Sequence, residues 1–301
     1  MLRAVRFCLM IEGQEGVTWG DWLALAQTAE RLGFEALFRS DHCISGQGRL
    51  RLGTLVSQIT FRSPSVLARS AATVDQISGG RVEIGMGAGW WGEEHTQFGF
   101  PFPSTVDRFA MLEEQLEIVD GLLAQQPFSF HGEHYALDRA ELLPSTVQRP
   151  RPPIILGGRR VGPWRQRLVG RWADEFNTVG GTTDEVRKRF ERARSGIEAV
   201  GREQRTLVTS LMTWCFVGET HEDYLTRLRR AHAADPVAGP FDAYRADVEA
   251  DCIVGTPERA ADRLAEYSAA GVQRILLNHG LFDDHQMLEF FATQVFPKVE
   301  G

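Results

Sequence analysis

The chain has 301 residues, 43% of them hydrophobic, enough to bury one barrel-sized core or two smaller ones. Its formal charge is −7, with acids spread along the chain and no basic tail or stripe, which argues against nucleic acid or anionic membrane as a partner. No apolar run approaches ~20 residues, so no membrane span is expected, and four cysteines without CxxC spacing suit a reducing, cytoplasmic compartment.

Strand-like apolar runs alternate with helical patterns almost from end to end. "AVRFCLM" reads as the first strand. "TWGDWLALAQTAERLG" follows, with Trp19, Trp22, Leu23, Ala26, Ala29 and Leu32 at helical spacing and Gly33 as a stop. "EALFR" is a second strand and "RLRLGTLV" a third. "SPSVLARSAATVDQISGG" is a helix with Pro64 near its start and Gly79-Gly80 past its end. "RVEIGMGAG" is the fourth strand, and "STVDRFAMLEEQLEIVDGLL" a long helix opened by Ser104, with Asp107 close behind. "PPIILGG" is the fifth strand, "DEFNTV" the sixth, "TLVTSLMTWCFVG" the seventh and "VQRILLN" the eighth, each leading into helical sequence. "GTPERAADRLAEYSAAG" opens with Thr256 as cap and Pro257 at the first helical position.

Eight such strands favour an α/β fold, a (β/α)8 TIM barrel formed as a single domain over residues 1–301, above an open doubly wound sheet. One unit is short. Only ten residues, "DHCISGQGRL", separate Ser40 from Arg51, too few for an ordinary crossover, so the second helix is either missing or omitted from the sequence.

In such barrels function gathers where the strands end. Those ends carry Asp41 and His42 after strand two, and Val56, Ser57 and Gln58 after strand three. Gly87, Gly89, Trp90 and Trp91 follow strand four, and Gly157, Gly158 and Arg159 strand five. Asn177 follows strand six, and Asn278 and His279 strand eight. Glycines where backbone must approach a ligand, an Asp-His pair and tryptophans together suggest a pocket for a flat, anionic cofactor.

Five stretches then carry a resemblance: "GDWLALAQTAERLGFEALFRSDH", the run from "RLRLGTLVSQITFRSPS" to "GRVEIGMGAGWWGEE", "PPIILGG", "RWADEFN" and "VGTPERAADRLAEYSAAGV". Together they resemble the luciferase-like monooxygenase superfamily, and within it the branch that uses the deazaflavin coenzyme F420. The resemblance implies a bacterial-luciferase-like barrel with the cofactor at its carboxyl end. It implies a non-proline cis peptide at Leu55–Val56, in a bulge where Leu55, Val56 and Ser57 support the back of the ring. Asp41 would lie over the pyrimidine end of the deazaflavin. His42 would face the substrate as acid or base, for which an imidazole titrates in the right range. Gly89, Trp90 and Asn177 would join the cofactor contacts. Gly157 and Gly158 would hold the phosphate, with a charge from Arg159 or Arg160 in "GGRRVG". "SDH" after strand two favours F420 over FMN. Sugar-phosphate dehydrogenases of the branch place a glutamate after the glycines of strand four, where Trp90 stands here, with Glu93 and Glu94 further on.

Simpler readings stand beside these. His131 and His134 in "FHGEHYAL" fall on a strand-like segment where residues three apart point to opposite faces, so a hairpin is expected and no metal site. One tryptophan of the Trp90–Trp91 pair is expected to pack, and His279 is evenly balanced between pocket wall and loop hydrogen bonder.

The expected function is hydride transfer between C5 of the deazaflavin and a small organic substrate, in a cytoplasmic homodimer. The alternatives are an FMN-dependent monooxygenase fed by a partner reductase, and a non-catalytic flavin or deazaflavin binder.

Overall fold

The computed structural model describes residues 5–11, 19–39, 50–235 and 238–300. In chain order the elements begin with β1 (Arg6–Ile11), α1 (Trp19–Arg31), β2 (Ala36–Arg39) and β3 (Arg51–Gln58). Next come α2 (Pro64–Ser78), β4 (Val82–Gly87), α3 (Gly92–Phe98) and α4 (Thr105–Ala124). A hairpin of β5 (Phe128–His131) and β6 (Ala136–Ala140) precedes β7 (Ile154–Gly157), α5 (Pro163–Trp172), β8 (Glu175–Val179) and α6 (Thr183–Ala199). The rest is β9 (Val208–Val217), α7 (His221–Ala234), α8 (Phe241–Asp251), β10 (Ile253–Gly255) and α9 (Pro257–Ala269). β11 (Arg274–Asn278), α10 (His285–Gln294) and α11 (Phe296–Glu300) complete the chain.

All eight expected strands form. The short strands β5 and β6 form the hairpin expected around His131 and His134, whereas the short strand β10 and the short helix α3 were not anticipated as separate elements. Local chemistry fixes the boundaries as read: Pro64 starts α2, and Gly79 ends it in the left-handed conformation. The Ser104 hydroxyl accepts from the Asp107 N–H to cap α4. Thr256 stands at the cap position of α9, without a side-chain hydrogen bond there. The proposed gap in helix two falls on residues 40–49, outside the described residues.

The chain divides into two compact units. The first comprises residues 1–38, 177–192 and 208–301. Its strands are parallel: β1 pairs with β11, β11 with β9, and β9 with β10. Phe7 faces the helices, stacked on Phe296 at 4.2 Å and edge-on to Phe291 at 5.7 Å. A second cluster gathers Phe216, Tyr224, Leu228, Val248 and Val254 beneath α7 and α8.

The second unit comprises residues 39–176 and 193–207. β3, β4 and β7 run parallel in that order. Two glycines let α5 and the end of α6 approach closely, because a Cβ at Gly170 or Gly196 would collide with the backbone of the facing helix. "FHGEHYAL" forms the expected hairpin, tied down by Glu114, whose carboxylate accepts the backbone N–H groups of Glu133, His134 and Tyr135. Asp75, fully buried on α2, likewise accepts the N–H groups of Val147 and Gln148. No helix among the described residues is long and apolar enough to cross a membrane.

Candidate functional site

The second unit collects most of the expected site residues at the carboxyl ends of β3, β4 and β7. Along β3 and β4, Thr54 pairs with Ile84 and Ser57 with Met86, so Leu55 and Val56 bulge opposite the single residue Gly85. The Leu55–Val56 peptide is cis, at the bond expected. A Cβ at Gly85 would collide with the Thr54 carbonyl, so the bulge needs glycine across from it. The Thr54 hydroxyl donates to the Gly85 carbonyl at 3.2 Å, and the buried Ser57 hydroxyl donates to Thr54 at 3.0 Å. Ser57 therefore braces the bulge, while Leu55 and Val56 remain half-buried.

Val56 lies across a glycine cradle. A Cβ at Gly87 would stand 2.6 Å from Val56 Cγ2, and one at Gly157 would stand 3.3 Å from Val56 Cγ1. Two strand ends, those of β4 and β7, thus leave their side chains out, so that one aliphatic group from β3 covers bare backbone. Gly89 follows with φ +75°, a conformation that costs glycine little. Its neighbour Gln58 donates to Glu94 at 3.3 Å and leaves a buried Oε1 with no partner among the described residues.

At the Gly157–Gly158 turn the charge comes from Arg165. Its Nη1 donates to the Gly157 carbonyl, and a Cβ at Gly158 would overlap the guanidinium. Arg165 has no carboxylate partner among the described residues, and burial holds its pKa below the ordinary arginine range. It sits on the first turn of α5, whose cap residue Gly162 offers no side chain. A partly buried cation, bare glycine backbone and a helix N-terminus are the donor set that a phosphate group requires. Arg159 and Arg160, expected to supply this charge, are both exposed.

Asp41 and His42 lie outside the described residues. Asn177 belongs to the first unit, fully buried, with its amide donating to Ser210 at 2.9 Å. Trp90 is 82% exposed and Trp91 41%, and their rings stack at 6.1 Å. His279, also in the first unit, is fully buried, and neither ring nitrogen finds a partner among the described residues. Burial lowers its pKa to about 4. A polar groove of about 440 Å³ in that unit is lined by Glu219, Asp223, Arg227, Arg230 and Asp284, but its arginines pair with Asp283 and Asp284. Its charges satisfy each other, so it is a weaker candidate than the cradle.

Two residues of the site were not singled out from sequence. Arg165 is hidden among the arginines of "GPWRQRLVGRW". His95 is fully buried, with Nε2 at 2.6 Å from the Thr60 hydroxyl and Nδ1 at 2.7 Å from the Trp91 carbonyl. The Trp91 carbonyl accepts from Nδ1–H, and Nε2 shares a hydrogen bond with the Thr60 hydroxyl. No periodicity marks it.

Comparison with known proteins adds four findings. A family model described as luciferase-like monooxygenase matches residues 5–274. An FMNH(2)-dependent dimethylsulfone monooxygenase from Pseudomonas putida is 25% identical, over 91% of this chain and 86% of its own. An F420-dependent glucose-6-phosphate dehydrogenase from Nakamurella multipartita is 26% identical, over 92% and 91%. Among solved structures, the coenzyme F420 dependent tetrahydromethanopterin reductase from Methanopyrus kandleri superposes with a TM-score of 0.82 at 20% identity, covering 98% of this chain and 99% of that one. That likeness establishes the fold as the luciferase-like (β/α)8 barrel expected.

Proposed function

The chain belongs to the luciferase-like monooxygenase family, and on that premise we propose that it is an F420-dependent oxidoreductase acting on a small organic substrate. When bound, the deazaflavin would supply a hydride donor or acceptor at its C5. The observation that carries the reading is the cradle: Val56 over the bare backbone of Gly87 and Gly157, beside an Arg165 with no carboxylate partner among the described residues. That arrangement suits a flat ring backed by Leu55, Val56 and Gly89, with a phosphate at Gly157, Gly158 and Arg165. Arg159 would lend a weaker, exposed charge. Asp41 and His42 complete the proposal. Asp41 would orient the ring edge, and His42 would hold or take the substrate proton, since its pKa class lies near working pH. The proposed assembly is a homodimer.

The dimethylsulfone relative supports a second reading, an FMN-dependent monooxygenase that takes reduced flavin from a partner reductase. A fluorescence titration with F420 and, separately, FMN separates the two. Saturable binding of F420 alone is the expected result. Preference for FMN would replace the proposal with the second reading. Replacing His42 by Ala should then cut turnover sharply while cofactor affinity barely moves, whereas equal loss of both would remove its chemical role.

A further inference from the structure

Trp90, Trp91, Phe98, Phe100 and Phe102 are exposed, and all fall between residues 90 and 102. Clustered exposed aromatics on a soluble surface mark a binding face more often than an accident of packing. Trp90 is the extreme case, stacked on Trp91 with 16° between planes and its outer face free.

The pair is held firmly from behind. His95 fixes the Trp91 carbonyl through Nδ1 and reaches the loop after β3 through Thr60. Its ring lies 5.0 Å from Phe61 and 4.4 Å from Phe102, and the Arg108 guanidinium covers Phe102 at 3.8 Å. Phe102 also abuts Gly92, where a Cβ would stand 3.2 Å from its ring. Such a scaffold fixes the backbone that carries the two indoles and leaves their rings exposed.

The platform continues directly from the cradle. Trp90 follows Gly89, two residues beyond the Gly87 that Val56 covers. Its two side chains offer π faces. Of the carboxylates that open α3, Glu94 is engaged by Gln58 and Glu93 is exposed. A sugar phosphate needs carboxylates and cations for its hydroxyls and phosphate, whereas a flat uncharged ring needs only a face to stack on.

Resting on the reading that the cradle holds the cofactor, we propose that Trp90 and Trp91 form the substrate-stacking face of this site. The substrate class is flat, uncharged aromatic compounds, and His95 is the positioning residue. This gives the Trp90 indole a role toward substrate in place of the cofactor contact expected from sequence.

The test is calorimetric titration of the full chain with 2-naphthol, with F420 titrated in parallel. Wild type should bind 2-naphthol saturably, with no competition from glucose 6-phosphate. Trp90→Ala, on the surface and safe for folding, should weaken 2-naphthol about tenfold, the size of one lost stacking contact, and leave F420 within about twofold. His95→Leu should weaken 2-naphthol similarly. His95→Asn, which keeps a donor for the Trp91 carbonyl, should restore it.

Absent 2-naphthol binding, or glucose 6-phosphate binding that depends on Trp90, overturns the proposal. Equal loss of F420 in Trp90→Ala places the indole on the cofactor and also overturns it. So does a dimer that becomes monomeric in Trp90→Ala with 2-naphthol affinity unchanged, since the face is then an interface between copies. Trp90-dependent 2-naphthol binding in a protein that ignores F420 would sink the cofactor reading and leave the aromatic face standing.

Discussion

The strand ends of the two units are finished in opposite ways. In the second unit, β3, β4 and β7 end in a bulge and bare glycine backbone, with a partly buried cation whose recorded partner is a carbonyl and an aromatic pair standing in solvent. In the first unit, the end of β9 carries large side chains, and one of them closes on the glycine that follows β11. Trp214 stacks on Phe216, its ring lies 2.5 Å from where a Cβ at Gly280 would stand, and His279 is sealed without a partner for either nitrogen among the described residues. One end leaves bare backbone beside a cation that has no carboxylate partner among the described residues. The other packs Trp214 and buries His279, and the arginines of its polar groove pair with aspartates. Bare backbone beside such a cation is what an anionic ligand requires, so the comparison points to the second unit.

The hardest blow to the open end is Gly85→Ala. The new methyl would meet the Thr54 carbonyl, a backbone atom that cannot step aside, so the bulge must shift. We expect a loss of about 4 kcal/mol in denaturant unfolding, with F420 binding abolished. Gly33→Ala is the control from the first unit. Gly33 has φ +82° but open space around its Cβ, so only the backbone penalty of about 1 kcal/mol applies. Equal effects from the two would mean that the bulge is not what Gly85 serves.

How much of this was readable depended on the kind of signal. The eight strands were legible because buried parallel strands are nearly continuous apolar runs, such as "IILG" in β7. α3 was not, since "GEEHTQF" is short, polar and without an apolar stripe. β10 is three residues long and reads as the lead-in to "TPERA". The bulge at Leu55–Val56 was legible only through family resemblance, because nothing in "GTLVSQ" distinguishes it from a regular strand. Arg165 was invisible for a physical reason: composition shows a cation, but only packing shows that it has no carboxylate partner among the described residues. Asp41 and His42, the residues the sequence made most of, lie outside the described residues.

Arg165→Leu sharpens the comparison at the phosphate end. No carboxylate among the described residues would be stranded by its loss, so stability should hold, with Tm within about 2 °C. Affinity for F420 should fall about 30-fold, roughly 2 kcal/mol for a charge-assisted contact to phosphate. Arg159→Ala, which removes an exposed charge, should cost less than about threefold and lose even that at high salt. The reverse ranking would return the phosphate to the residues that sequence favoured.

The smallest expected effect probes the sealed end. Burial depresses His279 to about 4, below its ordinary value of 6.5. The unfolded chain therefore binds more protons than the folded one between those two pH values, and stability falls as pH drops through that window. The loss should be about 1 kcal/mol between pH ~7.5 and ~5.5, growing toward pH ~4. His279→Leu has no proton to gain, and because neither ring nitrogen has a partner among the described residues, the change strands no other group there. Its unfolding free energy should match wild type near neutral pH and lack this component of the acid dependence. If His279→Leu instead keeps the full wild-type slope, the imidazole is reaching water or a partner, and the end of β11 is as open as the cradle it is contrasted with.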